Sequence, residues 1–225
     1  MKKITLLFIL ISSIVFAQED KRTQQLGDFS SIKILTGLKV QLIQSSEQKI
    51  EIIGKNQRNV IVKNKNGKLK IYIKLTESLR RYEFKINLYS NRNIDVIDVN
   101  EGAGLYSDDI LNQLKITLKA QEGSFIDVPL EVKYLTAKVV SGSNITTKGS
   151  AKSQDVEVAN GGVYDAFEFK TEQTKVVAGT GGKANINVTD VLDASVRFGG
   201  NVFYKGSPDV KRSKKFLGGI IKHKN

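Results

Sequence analysis

Polar and apolar residues alternate with period two along most of the chain. Leu38-Lys39-Val40-Gln41-Leu42, Lys49-Ile50-Glu51-Ile52, Lys68-Leu69-Lys70-Ile71-Tyr72-Ile73-Lys74 and Glu83-Phe84-Lys85-Ile86-Asn87-Leu88 all follow this rule. Such alternation over 4–8 residues is the signature of half-buried strands. Gly37, Gly54 and Asn64-Lys65-Asn66-Gly67 supply the turns between them. The two prolines, Pro129 and Pro208, leave the predicted ladders largely uninterrupted.

From about residue 95 the alternation becomes a repeat. Gly104, Gly123, Gly142, Gly161, Gly181 and Gly200 are spaced 19, 19, 19, 20 and 19 residues apart. A small or aliphatic pair precedes each turn: Leu118 and Ala120, Ala137 and Val139, Val156 and Val158, Val176 and Ala178. With Gly199 as anchor, Ala194 and Val196 continue the series. This period lacks a helical half and is shorter than a propeller blade, so it predicts β-solenoid coils of short strands. A coil cannot bury its own apolar face, but coils stacked about 4.8 Å apart pair every strand with the next. Same-column side chains then lie above one another, which favours the Ala/Val pair, and glycine at the corner permits positive φ. A β-sandwich with coincidental glycine spacing is the alternative. The spacing also puts Lys119, Lys138 and Glu157 in one outward column, where the glutamate relieves the stacked lysines.

Several segments, taken in order, resemble a known family. They are Phe29-Ser30-Ser31-Ile32-Lys33-Ile34, Gly37 to Gln44, Ile50 to Gly54, Gly67 to Ile71, Ser141-Gly142-Ser143-Asn144-Ile145, Ala178 to Gly182, and Val202 to Val210. Over roughly residues 27–210 the chain resembles the putative auto-transporter adhesin, head GIN domain family, widespread in Bacteroidota. The resemblance implies a β-helix shaped like the pectin lyases but without their catalytic residues. The family's activity is unknown and adhesion is its proposed role, so no functional residue carries over. The resulting expectation is an all-β chain: a right-handed parallel β-helix or β-solenoid, with coils of about 19 residues in the C-terminal half and a more irregular strand-rich N-terminal half.

The ends set the domain limits. Residues 1–18, MKKITLLFILISSIVFAQ, combine a basic start, an apolar run from Ile4 to Phe16 and a Val-x-Ala exit at Ala17. This is a secretory signal peptide pattern, and no Cys follows to direct lipidation. Residues 19–28 read as an N-terminal linker and 29–210 as one solenoid domain. Residues 211–225 read as a basic C-terminal cap or tail, with Phe216-Leu217 and Ile220-Ile221 available to fold over the open core.

Composition narrows the chemistry. The 225 residues hold 35 Lys plus Arg against 23 Asp plus Glu, one His, and neither Cys nor Trp. A disulfide framework, a thiolate zinc site and a Cys nucleophile are therefore excluded. His223 lies in a lysine-rich terminus, and Gly179-Thr180-Gly181-Gly182-Lys183 lacks the Walker spacing and a following helix. Acids one coil apart, Asp108 or Asp109 with Asp127 and Asp190 with Asp209, are the remaining candidates for calcium or glycosidic chemistry. Basic residues concentrate between Lys55 and Arg92 and between Lys205 and Asn225. For an exported chain this favours an anionic glycan, an envelope polymer or another envelope protein as partner over nucleic acid. Tyr82, Tyr89 and Tyr164 are the rings available for sugar stacking.

The sequence reading is thus an exported, non-enzymatic binding protein of the cell envelope, periplasmic, secreted or outer-membrane associated. It carries no transmembrane span after signal cleavage. No catalytic, cofactor-binding or metal residue is assigned, no cofactor is expected, and the ligand-binding residues are unknown. The alternatives are a polysaccharide-active β-helix enzyme using stacked Asp residues, and a structural or regulatory envelope protein. The mature protein is expected to begin between Gln18 and Asp20. Intact-mass analysis of envelope fractions checks this, and retention of Met1 would refute it.

Overall fold

A computed structural model describes residues 20–74 and 83–225. The expected signal peptide, 1–18, lies outside the described residues. The chain begins with β1 (Lys21–Gln25), β2 (Ser31–Ile34), β3 (Lys39–Gln44), β4 (Lys49–Ile53), β5 (Val60–Lys65) and β6 (Lys68–Ile73). It continues with β7 (Lys85–Ser90), β8 (Val96–Val99), β9 (Gly104–Tyr106), β10 (Leu111–Ala120), β11 (Phe125–Val140) and β12 (Asn144–Ala159). The last strands are β13 (Val163–Gly179), β14 (Lys183–Arg197), β15 (Asn201–Lys205), β16 (Val210–Phe216) and β17 (Ile220–His223). Among the described residues there is no α-helix, only a short 3-10 turn at Gln57–Asn59.

The strands wind as a β-solenoid. One parallel ladder, preceding the corner turn, runs β6–β2–β8–β10–β11–β12–β13–β14–β16. A second, following the turn, runs β7–β3–β9–β11–β12–β13–β14–β15–β17. The long strands β11 to β14 belong to both ladders, because each spans a coil between two corners.

Each corner is a pair of left-handed residues ending in glycine. The pairs are Thr36-Gly37, Glu101-Gly102, Glu122-Gly123, Ser141-Gly142, Asn160-Gly161, Thr180-Gly181, Phe198-Gly199 and Leu217-Gly218. The repeat therefore turns on Gly102 and Gly199. Gly104 instead opens β9, and Gly200 closes its turn by donating to the Arg197 carbonyl at 3.1 Å. Gly199 is the anchor expected from Ala194 and Val196, whereas the expected Gly104 gives way to Gly102, the one of those two that takes positive φ. The residue after each corner pair is also constrained. A Cβ at Gly200 would lie 2.1 Å from the Ala178 carbonyl oxygen, so this position can only be glycine.

The predicted inward pair forms two continuous columns. Leu118, Ala137, Val156, Val176 and Ala194 are in register, as are Ala120, Val139, Val158, Ala178 and Val196. All ten are buried within one hydrophobic cluster that runs the length of the solenoid. The outward column Lys119–Lys138–Glu157 also forms, with Lys138 Nζ 3.4 Å from Glu157. In the core of the middle coils the Tyr164 hydroxyl donates to Gln154 Oε1 at 2.8 Å, and the Gln154 amide donates to Thr174 Oγ1 at 3.0 Å. Burial holds the Tyr164 hydroxyl strongly in its neutral form, and hydrogen bonding within the core compensates its desolvation.

The two ends differ. β2 and β3 form the first coil, and β6 and β7 cover its outer side by pairing with them. There the ladder turns antiparallel, with β4 on β7 and β5 on β6. The segment read as an N-terminal linker contributes β1, antiparallel to β4. Its polar sequence concealed this because an outermost strand needs few apolar residues. β1 is held by Lys21 Nζ, 3.1 Å from Glu51, and by Arg22 Nη2, which donates to the Val60 carbonyl at 2.8 Å. At the other end β16 and β17 add one more coil by pairing with β14 and β15; Ile221 packs against the core, whereas Phe216, Leu217 and Ile220 remain exposed. Backbone pairing to an open edge satisfies more polar groups than a fold-back would.

Val158→Asp should bury an unpaired carboxylate between Val139 and Ala178 and cost about 4 kcal/mol, measured by denaturant unfolding. Tyr164→Phe removes one donor and leaves Gln154 Oε1 without that partner. A loss of about 1–2 kcal/mol is expected in the same assay.

Candidate functional site

Outward side chains of the post-turn face also stack in columns. Tyr106, Asp127, Thr146, Asp165, Asn185 and Phe203 follow one another, one per coil. Two shallow depressions lie along this face. The first, about 520 Å³, is lined by Asp127, Thr146, Lys148, Asp165, Phe167, Glu168 and Lys205. The second, about 420 Å³, shares Phe167 and Lys205 and adds Lys183, Asn185, Phe203 and Lys224. The shared residues make them one continuous groove crossing the stacked strands.

Its chemistry is graded. Asp127, Asp165 and Glu168 lie in the first depression with Lys148; Lys183 and Lys224 lie in the second, and Lys205 lines both. The lysines are arranged over rings: Lys205 Nζ lies 5.1 Å from the Phe167 centroid, Lys224 Nζ 5.1 Å and Lys183 Nζ 5.8 Å from that of Phe203. Such contacts hold ammonium groups over a flat apolar surface. Between them Asn185 is 6% exposed. Its amide donates to Asp165 Oδ1 at 3.2 Å, while its own Oδ1 is buried without a hydrogen-bond partner. The groove therefore offers hydroxyl-bonding side chains and fixed cations side by side.

The acids singled out by spacing are arranged differently. Asp127 has Tyr106 and Thr146 as its register neighbours. Asp108 accepts from Gln41 Nε2 at 3.0 Å and Asp109 from the Gln44 amide at 2.8 Å, so both serve the loop after β9. The nearest acid along the column of Asp127 is Asp165, two coils away, with Thr146 between them. Asp190 and Asp209 immediately precede the paired residues Val191 and Val210, and both are exposed. No group of three or more His, Asp or Glu able to hold a metal ion occurs among the described residues. His223 stacks edge-on against Tyr204, with ring centroids 5.2 Å apart, and its Nε2 lies 3.0 Å from the Gly206 carbonyl oxygen.

The rings named for stacking also change. Tyr164 is fully buried, Tyr89 donates to Glu51 Oε2 at 3.2 Å, and Tyr82 lies outside the described residues. Phe167 and Phe203 take that place. Sequence could have marked Phe203, because it occupies the outward position of a coil where neighbouring coils carry Asp165 and Asn185. The cluster around Glu51 is structural. Desolvation raises its carboxyl, but hydrogen bonds from Lys21 and Tyr89 and the Lys49 charge outweigh this and hold it below its usual range. In the N-terminal basic region, Lys63, Lys70 and Lys33 lie side by side across three strands, and Lys33 Nζ is 3.1 Å from Asp98.

A family model described as putative auto-transporter adhesin, head GIN domain, matches residues 28–208. Among solved structures, a putative adhesin from Bacteroides fragilis is similar with a TM-score of 0.86 at 20% identity, covering 92% of this chain and 98% of its own. A putative adhesin from Parabacteroides merdae gives 0.69 at 19%, covering 93% and 98%. A structure described as a putative lipid binding protein from Parabacteroides distasonis gives 0.69 at 16%, also covering 93% and 98%. At these identities the likeness establishes the fold. No curated protein matches the chain.

Proposed function

The chain belongs to the head GIN domain family of putative auto-transporter adhesins, and we propose that it is an exported, non-enzymatic binding protein whose post-turn groove holds an anionic glycan of the cell envelope. The family and its solved relatives support the adhesion-type role on a β-solenoid. Among the described residues, no helix is long and apolar enough to cross a membrane, which is compatible with export.

The observation that carries the ligand class is a row of lysines held over Phe167 and Phe203 beside the hydroxyl-bonding groups of Asp165 and Thr146. A polysaccharide bearing carboxylate or phosphate groups meets both demands. Its anions lie against Lys183, Lys205 and Lys224, and its hydroxyls reach Asn185, Asp165 and Thr146. Stacked coils about 4.8 Å apart present these groups at a constant rise, and an extended sugar chain has a comparably regular repeat. Lysines held over rings lose less side-chain freedom on binding than free ones would.

Affinity electrophoresis in gels containing polygalacturonate, with neutral dextran as control, tests the reading. The wild-type chain should be retarded only by polygalacturonate, less so as salt rises. Lys183→Gln with Lys205→Gln should weaken retardation roughly tenfold at unchanged melting temperature. Equal retardation of wild type and variant would assign the charge effect elsewhere on the surface and refute the groove.

A further inference from the structure

The left-handed corner column changes character along the solenoid. Its first six positions are polar: Thr36, Glu101, Glu122, Ser141, Asn160 and Thr180. The last two are Phe198 (φ 53) and Leu217 (φ 50). A bulky side chain in this region carries strain that Asn or Gly avoids, so its presence here calls for a reason beyond the turn. Burial is not that reason. Phe198 is 54%, Phe216 61%, Leu217 65% and Ile220 47% exposed. Phe198 and Phe216 meet edge to face with centroids 5.7 Å apart, so the four residues form one apolar corner at the end of the solenoid. Around it lie cations. From Lys205 to Asn225 there are seven Lys or Arg and a single acid, Asp209.

We propose that this C-terminal end docks on an anionic lipid bilayer. The apolar corner enters the interface, and Arg212 and Lys214, which share the outward face of β16 with Phe216, lie at the level of the headgroups. Exposed aromatic and aliphatic groups ringed by Lys are the combination that holds peripheral proteins to anionic membranes, since neither element alone suffices.

Other occupants of this end fit less well. A second copy offers another basic end: β16 carries Lys and Arg throughout, and the far end carries Lys63 and Lys65 on β5 and Lys21 and Arg22 on β1. Addition of a peptide strand as a further coil meets a different obstacle. Lys211 and Lys215 are in register with the buried Leu192 and Val196, so they occupy inward positions of the last coil. A strand laid on β16 would enclose both ammonium groups against the core, a recognised device for keeping sheet edges unpaired. The apolar corner lies beside that edge and stays available to a surface. Its cations lie on β16, whereas the glycan groove uses Lys183, Lys205 and Lys224.

Vesicle co-sedimentation tests the proposal. The purified chain is mixed with vesicles of phosphatidylcholine, alone or with about a third phosphatidylglycerol. It should sediment with the anionic vesicles, weakly with the neutral ones, and less at about 0.5 M salt. Phe216→Ser with Leu217→Asn should lower partitioning roughly tenfold. Asn suits the left-handed turn, so the melting temperature should hold or rise, and Arg212→Gln with Lys214→Gln provides a second variant that leaves the backbone alone. Lys183→Gln with Lys205→Gln should sediment like wild type, which separates this site from the glycan reading. Absence of sedimentation with anionic vesicles, or sedimentation unaffected by both C-terminal variants, would overturn the proposal. Capture of an acidic peptide that protects β16 amides from exchange, without vesicle binding, would overturn it in favour of strand addition.

Discussion

The corner ladder sets the phase of the whole solenoid. The Gly37 amide donates to the Glu101 carbonyl at 2.9 Å, Gly102 to Glu122 at 2.8 Å, Gly123 to Ser141 at 3.0 Å, Gly142 to Asn160 at 3.0 Å and Gly161 to Thr180 at 3.1 Å. Each bond links one left-handed pair to the next, so a residue inserted in a strand must be absorbed before the following corner. The observed absorption occurs as bulges, between Thr146 and Gly149 and between Asp165 and Lys170, away from the turns. Register at the corners is what keeps apolar residues inside, because a one-residue slip would reverse every side chain of the coil.

Stacking in register also has a cost on the surface. Each outward residue stands over its equivalent in the next coil, so like charges are brought together unless the column alternates. Lys33 with Asp98, Lys138 with Glu157 and Lys175 with Asp155 show the alternation. The two exposed pairs, Lys138 with Glu157 and Lys175 with Asp155, contribute little to stability, and their value is in removing repulsion that stacking would otherwise impose. The same geometry turns isolated residues into extended strips. Asp165, Asn185 and Phe203 are about 20 residues apart in sequence and adjacent in space, which is how a groove arises without any loop built for it.

A solenoid has two ends, and here they are handled by different means. The first coil is covered by an inserted excursion whose ladder switches to antiparallel pairing, with the polar strand β1 outermost. The last coil is left open and guarded by charge, with inward positions occupied by Lys211, Ser213 and Lys215 where earlier coils have Leu192, Ala194 and Val196. Cover and charge solve the same problem of unpaired edges. Only the charged solution leaves a surface with chemistry of its own.

The sequence by itself determined the solenoid, its period, the inward columns through Val158 and the outward column Lys119–Lys138–Glu157. These depend on local alternation and on a repeat, and both are written residue by residue. It also showed where basic charge concentrates. Only the tertiary structure decided which of several neighbouring glycines takes the corner, because that depends on carbonyls one coil away, as at Gly200 beneath Ala178. Only it brought β1 onto β4, turned the C-terminal segment into a coil and replaced the tyrosines by Phe167 and Phe203 at the groove. It separated Asp127 from Asp108 for the same reason. Where bulges and loops shift the register between coils, as after Tyr106, Thr146 and Asp165, a fixed spacing does not tell which outward side chains meet.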